Sequence, residues 1–244
     1  MEITGKCQLA CVHCYADSGP AASHGSMTCA DWLRVLDEAA ELDVGMVQFI
    51  GGEPTLHPDL ATLVEHAVAR GLAVEVFSNL VHVTPRLWET FGQPGVRLAC
   101  SYYSDDASQH AAVTGRTGSH PRTRANIAEA VRRSIPLRVG VVNLGDGQRA
   151  EQAMAELTDL GVAEVGYDRL RQVGRGIRTE WASMDQVCGH CASGVPKMCD
   201  PQCGPNCGPA CMPQGTRHPC GPRGGCRPNY EHATASTGAL DSTW

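Results

Sequence analysis

Three cysteines, Cys7, Cys11 and Cys14, stand within eight residues near the start of the chain, in the run CQLACVHC with C-x3-C-x2-C spacing. Three thiolates on one short loop can hold three corners of a cubane iron–sulfur cluster. The fourth iron is then left without a protein ligand. Such an iron can bind a small molecule and pass it an electron, whereas a structural site closes its positions with protein ligands. Zinc sites usually pair two close ligands with two more far away, which is not this spacing. The loop therefore reads as an active centre.

A second stretch, Gly51-Gly52-Glu53-Pro54, ends a nearly continuous apolar run from Val44 to Ile50. Such a run fits a strand covered on both faces, as in a parallel sheet. Two glycines let the backbone turn sharply and approach a ligand closely, and Pro54 stiffens the exit. Glu53 then sits at the C-terminal end of a strand, facing the cysteine loop. A carboxylate and exposed carbonyls there can bind an α-ammonium group. Alone, GGEP reads as an ordinary strand–helix turn; coupled to the cysteine loop it reads as part of a ligand site.

These residues need elements to position them. A strand-like run over Glu2 to Thr4 leads into the cysteine loop. Thr28 and Asp31 form a capping-box start for a helix to about Leu42. Helices follow over Leu60 to Arg70, Pro85 to Phe91, His120 to Arg133 and Gln148 to Leu160. They alternate with strands over Val44 to Ile50, Leu72 to Phe77, Val96 to Cys100, Leu137 to Val142 and Ala163 to Tyr167. The segment Ser104 to Ser119 reads as a long polar loop. Strands alternating with helices predict a parallel sheet with right-handed crossovers. Six such units are too few for an eightfold barrel, so the expected fold is α/β, an open, partial (β/α)6 TIM-like barrel. Ligands in such folds lie at the C-terminal strand ends. The cysteine loop, Glu53, Ser78, Asn79, Ser101, Tyr102, Asn143 and Asp168 all fall there.

The run CQLACVHCY resembles the signature of the radical S-adenosylmethionine (radical SAM) superfamily, C-x3-C-x-aromatic-C, with His13 in the aromatic place. GGEP occupies the place where that family binds the methionyl amine, and the likeness covers roughly Glu2 to Arg175. The resemblance implies a [4Fe-4S] cluster on Cys7, Cys11 and Cys14, with S-adenosyl-L-methionine chelating the open iron. Gly51, Gly52, Glu53 and Pro54 would orient the methionyl part, and Ser78, Asn79 and Ser101 would grip ribose and carboxylate. His13 stacks on adenine, covers the cluster, or is solvated. Arg116 stands where the family often places a substrate contact, and by itself reads as a solvated side chain. A 5′-deoxyadenosyl radical then takes hydrogen from a substrate, and a flavodoxin or ferredoxin supplies the electron.

Eight cysteines crowd between Cys188 and Cys226. Proline and glycine fill the gaps between Cys199, Cys203, Cys207 and Cys211, so the segment is a string of turns. So little apolar chain needs metal or disulfide staples to be ordered. Gly215 to Cys220 resembles the G-x4-C hairpin of SPASM or twitch extensions, but only Cys226 follows it. One auxiliary four-iron cluster on Cys188, Cys191, Cys220 and others such as Cys203 is what that likeness implies. Cys199, Cys207, Cys211 and Cys226 match no pattern, and zinc, a further cluster or a recognition loop stay open for them. The expected organisation is a barrel over residues 1–175, a cysteine-rich extension over 176–230 and a patternless tail over 231–244.

The chain of 244 residues has a net charge of −6, which gives no basic footprint for nucleic acid. It has no membrane-length apolar run and no basic-then-apolar signal segment, so a cytoplasmic protein is expected. In a reducing compartment its 13 cysteines are metal ligands rather than disulfides. Cysteine-rich extensions accompany radical SAM enzymes that modify ribosomally made peptides, so a peptide maturase is the first expectation. A leader-binding domain before Met1 is not expected, which counts against a peptide substrate unless a separate protein supplies one. The alternatives are a tailoring enzyme for a sugar, nucleoside or other small molecule, and a non-catalytic iron–sulfur or zinc scaffold. An electron carrier or scaffold has no use for GGEP and the polar strand ends.

Overall fold

The computed structural model describes residues 1–145, 147–171 and 173–177. The Thr28–Asp31 capping box forms as its residues predict. The Thr28 hydroxyl accepts from the Asp31 amide at 3.2 Å, and the Asp31 carboxylate accepts from the Thr28 amide at 2.9 Å. The helix they open, α1 (Cys29–Glu41), is followed by β1 (Met46–Phe49), α2 (Leu60–Ala69), β2 (Ala73–Phe77), α3 (Pro85–Phe91) and β3 (Val96–Tyr102). Then come α4 (Ala107–Thr114), α5 (Ser119–Arg132), β4 (Leu137–Asn143), α6 (Ala150–Asp159) and β5 (Glu164–Arg169).

The five strands are parallel and lie in the order β1-β2-β3-β4-β5. Each crossover steps to the next neighbour, and among the described residues β1 and β5 stay unpaired with each other, which leaves a partial, open barrel. The chain start adds a sixth parallel segment beside β1. Ile3 N–H donates to the Ile50 carbonyl at 3.0 Å, and Ile50 N–H to the Met1 carbonyl at 2.9 Å. Only one bridge forms there, Glu2 to Ile50, rather than the expected strand through Thr4. Beyond it, the carbonyls of Thr4 and Lys6 turn to receive the amides of Gly52 and Glu53 at 2.6 and 2.8 Å.

One sheet face is apolar and packs on the helices. Val47, Phe49, Val74, Val76, Leu98, Val139 and Val141 meet Leu36, Leu63, Val64, Phe91, Ile127 and Leu157 in a single buried cluster. This face carries the hydrophobic driving force of the fold. The alternate strand positions point the other way, because side chains on a strand repeat with period two. On that face Glu75, only 2% exposed, accepts from Arg138 Nε and Nη2 at 2.8 and 2.7 Å. Arg97 Nε lies 2.8 Å from the same carboxylate, and the Gln48 amide also donates to it. Burial raises the Glu75 pKa, but the Arg138 and Gln48 hydrogen bonds outweigh it and the net shift is downward. The inner face of the partial barrel is thus polar and cross-linked at its floor.

The segment from Ser104 to Ser119 is not one loop. It contains α4, capped by Asp106, whose carboxylate accepts from the Gln109 amide at 2.7 Å, and ended by Gly115 at φ +67°. This helix gives no apolar period in the sequence because it buries only His110, Val113 and Thr114, too few for an apolar stripe. Its Asp and Gly signals were there to be read. Among the described residues, no helix is long and apolar enough to cross a membrane.

Glu75→Gln removes the negative charge while leaving Arg97 and Arg138 on the inner face. It is expected to lower the unfolding free energy by about 3 kcal/mol, the scale of a broken buried ion pair, read as a shift in the urea midpoint.

Candidate active site

The cysteine loop is held by backbone contacts from several elements. Cys7 N–H donates to Gly19 at 3.1 Å, and Ala10 and Val12 donate to the carbonyls of Thr114 and Val113 at 3.1 and 3.0 Å. The end of α4 therefore fixes the middle of the loop. Arg116 is exposed, as expected, and also donates from Nη1 to the Gln8 carbonyl at 3.0 Å. The turn after β1 lies against the same stretch. A Cβ at Gly51 would stand 2.3 Å from the Thr4 carbonyl oxygen, and one at Gly52 would stand 2.4 Å from that of Lys6. Only glycine fits both places, and Gly51 also has φ +150°.

Glu53 is fully buried, and its carboxylate points inward. Its Oε1 accepts from the Thr55 amide at 3.0 Å, the Thr55 hydroxyl at 2.7 Å and the Ser78 hydroxyl at 2.7 Å. Its Oε2 accepts from the Asn79 amide at 2.7 Å. Burial raises its pKa, against the pull of these four donors. The carboxylate thus ties the end of β1 to the end of β2. The sequence reading gave it to a bound ammonium; in the fold its direct partners are protein groups, and the backbone of the GGEP turn is what it holds in place.

Asn79 carries the connection back to the cysteines. Its side-chain amide donates to Gln8 Oε1 at 3.2 Å and lies 3.7 Å from Cys7 Sγ, while Gln8 Nε2 donates to Asn79 Oδ1 at 3.0 Å. Leu9 N–H also points at Cys7 Sγ, at 3.4 Å. Burial pushes the Cys7 thiol up to about 11 and the Cys11 thiol up to about 12, with the neighbouring cysteine sulfurs adding to the shift in each case. Both stay neutral thiols in the metal-free protein, so a metal bound there would displace their protons. Cys7, Cys11 and Cys14 are all free of disulfides.

His13 is half-buried and meets the Tyr103 ring edge-on, with centroids 5.0 Å apart. Tyr103 packs on His110 at 5.3 Å. The structure therefore brings together Cys7, Glu53, Ser78 and Asn79 by direct bonds, and Cys11, Cys14 and His13 through the loop, while Ser101 lies at the C-terminal end of β3. The sequence reading missed Gln8 as the link to Asn79 and Arg175 as a second anchor of the loop. Nothing at either position signals a partner 71 or 164 residues away. Cys188, Cys191, Cys203 and Cys220, and the other tail cysteines, lie outside the described residues.

A cubane cluster fits what is present. Its donors would be three free thiols on a loop closed against a glycine turn. Among the described residues no three metal-binding side chains converge on the point a single ion would occupy. A cubane does not require that, because each thiolate takes its own iron. Glu53→Ala would leave four donors without their acceptor in a buried site. It is expected to destabilise the metal-free protein by about 3–5 kcal/mol, measured by chemical denaturation.

Residues 1–159 match the Radical SAM superfamily. The PqqA peptide cyclase of Xanthomonas campestris pv. campestris strain B100 is 31% identical over 192 residues, 75% of this chain and 50% of its own length. Mycofactocin maturase MftC of Mycobacterium tuberculosis strain H37Rv is 31% identical over 194 residues, 75% of this chain and 46% of its own. The AdoMet-dependent heme synthase of Methanosarcina barkeri strain Fusaro is 30% identical over 184 residues, 75% of this chain and 53% of its own. The chain spans about half the length of these relatives. Its fold is similar to that of Streptococcus suis SuiB solved bound to S-adenosylmethionine, with a TM-score of 0.62 and 17% identity over 70% of this chain and 40% of that one. SuiB has also been solved bound to its precursor peptide SuiA. With the family matched from the cysteine loop through to the end of α6, the chain belongs to the radical SAM superfamily.

Proposed function

We propose that this chain binds a [4Fe-4S] cluster through Cys7, Cys11 and Cys14, cleaves S-adenosyl-L-methionine reductively, and uses the resulting radical to modify a ribosomally made peptide. The observation that carries this is the cysteine loop pinned beside the GGEP turn at the C-terminal ends of the strands. When bound, the cluster supplies one electron to the sulfonium, which breaks its bond to the 5′ carbon and leaves methionine and a 5′-deoxyadenosyl radical that takes a hydrogen atom from the substrate.

The chain's own groups have distinct tasks in this reading. Cys7, Cys11 and Cys14 would hold the cluster through three thiolates, and the methionyl part would meet it at the iron without a protein ligand. The Gly51–Pro54 turn orients the ammonium through its backbone, and Glu53 keeps that turn rigid by gripping Thr55, Ser78 and Asn79. The Asn79 amide and the Leu9 N–H both face the Cys7 sulfur, where they favour the thiolate. Tyr103 and His13 form an aromatic wall beside the loop, suited to an adenine face or to shielding the cluster from water.

The peptide substrate is supported by the names of two relatives, a peptide cyclase and a maturase. A small-molecule substrate is the second reading, favoured by the heme synthase, which is 30% identical. A flavodoxin or ferredoxin would bring the electron, a separate protein would bind a leader peptide, and the reducing cytoplasm would keep the thiols free. An auxiliary four-iron cluster on Cys188, Cys191, Cys203 and Cys220 completes the proposal, within an extension over residues 176–230 and apart from the barrel over 1–175.

Anaerobic reconstitution, reduction and addition of S-adenosylmethionine are expected to yield 5′-deoxyadenosine and methionine. The triple variant Cys7→Ala, Cys11→Ala, Cys14→Ala is expected to abolish the product and to remove about four irons per chain, with any iron left over belonging to the extension. An intact cluster that gives no 5′-deoxyadenosine, with peptide or small-molecule candidates present, sinks the enzyme reading and leaves a scaffold.

A further inference from the structure

Arg175 lies between Gly174 and Gly176 at the end of the described chain and reaches back across the fold to the cysteine loop. Its Nε donates to the Cys11 carbonyl at 2.9 Å, its Nη2 to the Ser18 carbonyl at 2.7 Å, and its Nη1 to the Asp17 carboxylate at 2.6 Å. Its backbone N–H donates to the Cys14 carbonyl at 2.9 Å. The turn carrying it lies flat on the loop. Gly174 has φ +56°, and a Cβ there would stand 2.3 Å from the Tyr15 carbonyl oxygen and 2.5 Å from that of Cys14. Contacts this close leave no room for a side chain beside Arg175, so the glycine and the arginine act as one clasp.

Two physical effects follow from that placement. A planar guanidinium presents several donors in a fixed fork, so it can hold two carbonyls and a carboxylate at once; a lysine ammonium is a point charge and cannot span them. The guanidinium also places a positive charge against the backbone of the cysteine loop, at the Cys11 carbonyl.

We infer that Arg175 is a positioning residue for the cluster: its clasp on the Cys11 and Cys14 carbonyls keeps the cysteine loop in shape, and its charge eases the cluster's one-electron reduction. The inference rests on the cluster assignment proposed above. The reduction adds one electron from the reductant to the cluster and breaks no bond, so a fixed positive charge nearby favours the reduced form.

The test uses the full chain, reconstituted anaerobically and titrated with a low-potential reductant, following the electron paramagnetic resonance signal that changes when S-adenosylmethionine is added. The natural chain must first give that signal; its absence would overturn the cluster assignment and this inference with it. Arg175→Lys is expected to keep a near-natural midpoint potential but to lose the signal to an iron chelator about tenfold faster, the scale on which outer partners of a metal site act. Arg175→Gln is expected to lose it as fast and also to shift the midpoint to a more negative potential. A natural chelation rate in Arg175→Lys, or a natural potential in Arg175→Gln, would overturn the inference. If Arg175→Gln does not fold, Asp17→Asn replaces it: removing the carboxylate opposite the guanidinium is expected to shift the midpoint positive at low ionic strength, and an unmoved potential there overturns the charge effect.

Discussion

The Glu53 carboxylate is the interaction on which the candidate site depends. It is fully buried and takes four hydrogen bonds, two from hydroxyls and two from backbone amides. A buried carboxylate is costly unless its lone pairs are met, and here the partners come from the ends of two neighbouring strands. Fixing Glu53 fixes Asn79, and Asn79 in turn meets Gln8 and the Cys7 sulfur. A chain of polar contacts thus runs from the first crossover to the first cysteine. On the other side of the carboxylate, Glu53 N–H donates to Lys6, so the same residue holds the loop through its backbone.

The two faces of the sheet divide the work. The helix-covered face is apolar and supplies the stability of the fold. The inner face carries Gln48, Glu75, Arg97 and Arg138 in one ion-paired group. That group lies in the lower part of the strands, while the cysteine loop and the GGEP turn gather at their C-terminal ends. The loop is held by separate parts of the chain: the carbonyl end of α4, Arg116, and the Arg175 turn. Residues far apart in sequence must all be in place before three thiols stand together.

Much of this could be read before the fold was known, and the reason differs from place to place. Thr28 and Asp31 spoke through local chemistry, since a capping box needs only residues three apart. The parallel order followed from apolar runs alternating with helical stretches. GGEP was legible only beside the cysteine loop, since alone it reads as an ordinary strand–helix turn. The α4 helix was not, because its apolar face is too narrow to give a period, although its caps were visible. The inward turn of Glu53 and the grip of Arg175 were not legible either. Both depend on where distant hydroxyls and carbonyls arrive, which only the packed chain decides. The six-strand expectation resolves into five strands and one bridged segment for the same reason: the Thr4 and Lys6 carbonyls serve the GGEP turn.

In the proposed site three protein thiolates would leave one iron free, and S-adenosylmethionine would take it. Mössbauer spectroscopy of the iron-57-labelled protein tests this most directly, in a form in which the cysteines between Cys188 and Cys226 are replaced so that only the loop cluster is observed. Adding S-adenosylmethionine is expected to shift the isomer shift of one iron in four and leave the other three unchanged. Four irons that all keep their parameters when it is added would mean that S-adenosylmethionine does not bind the cluster.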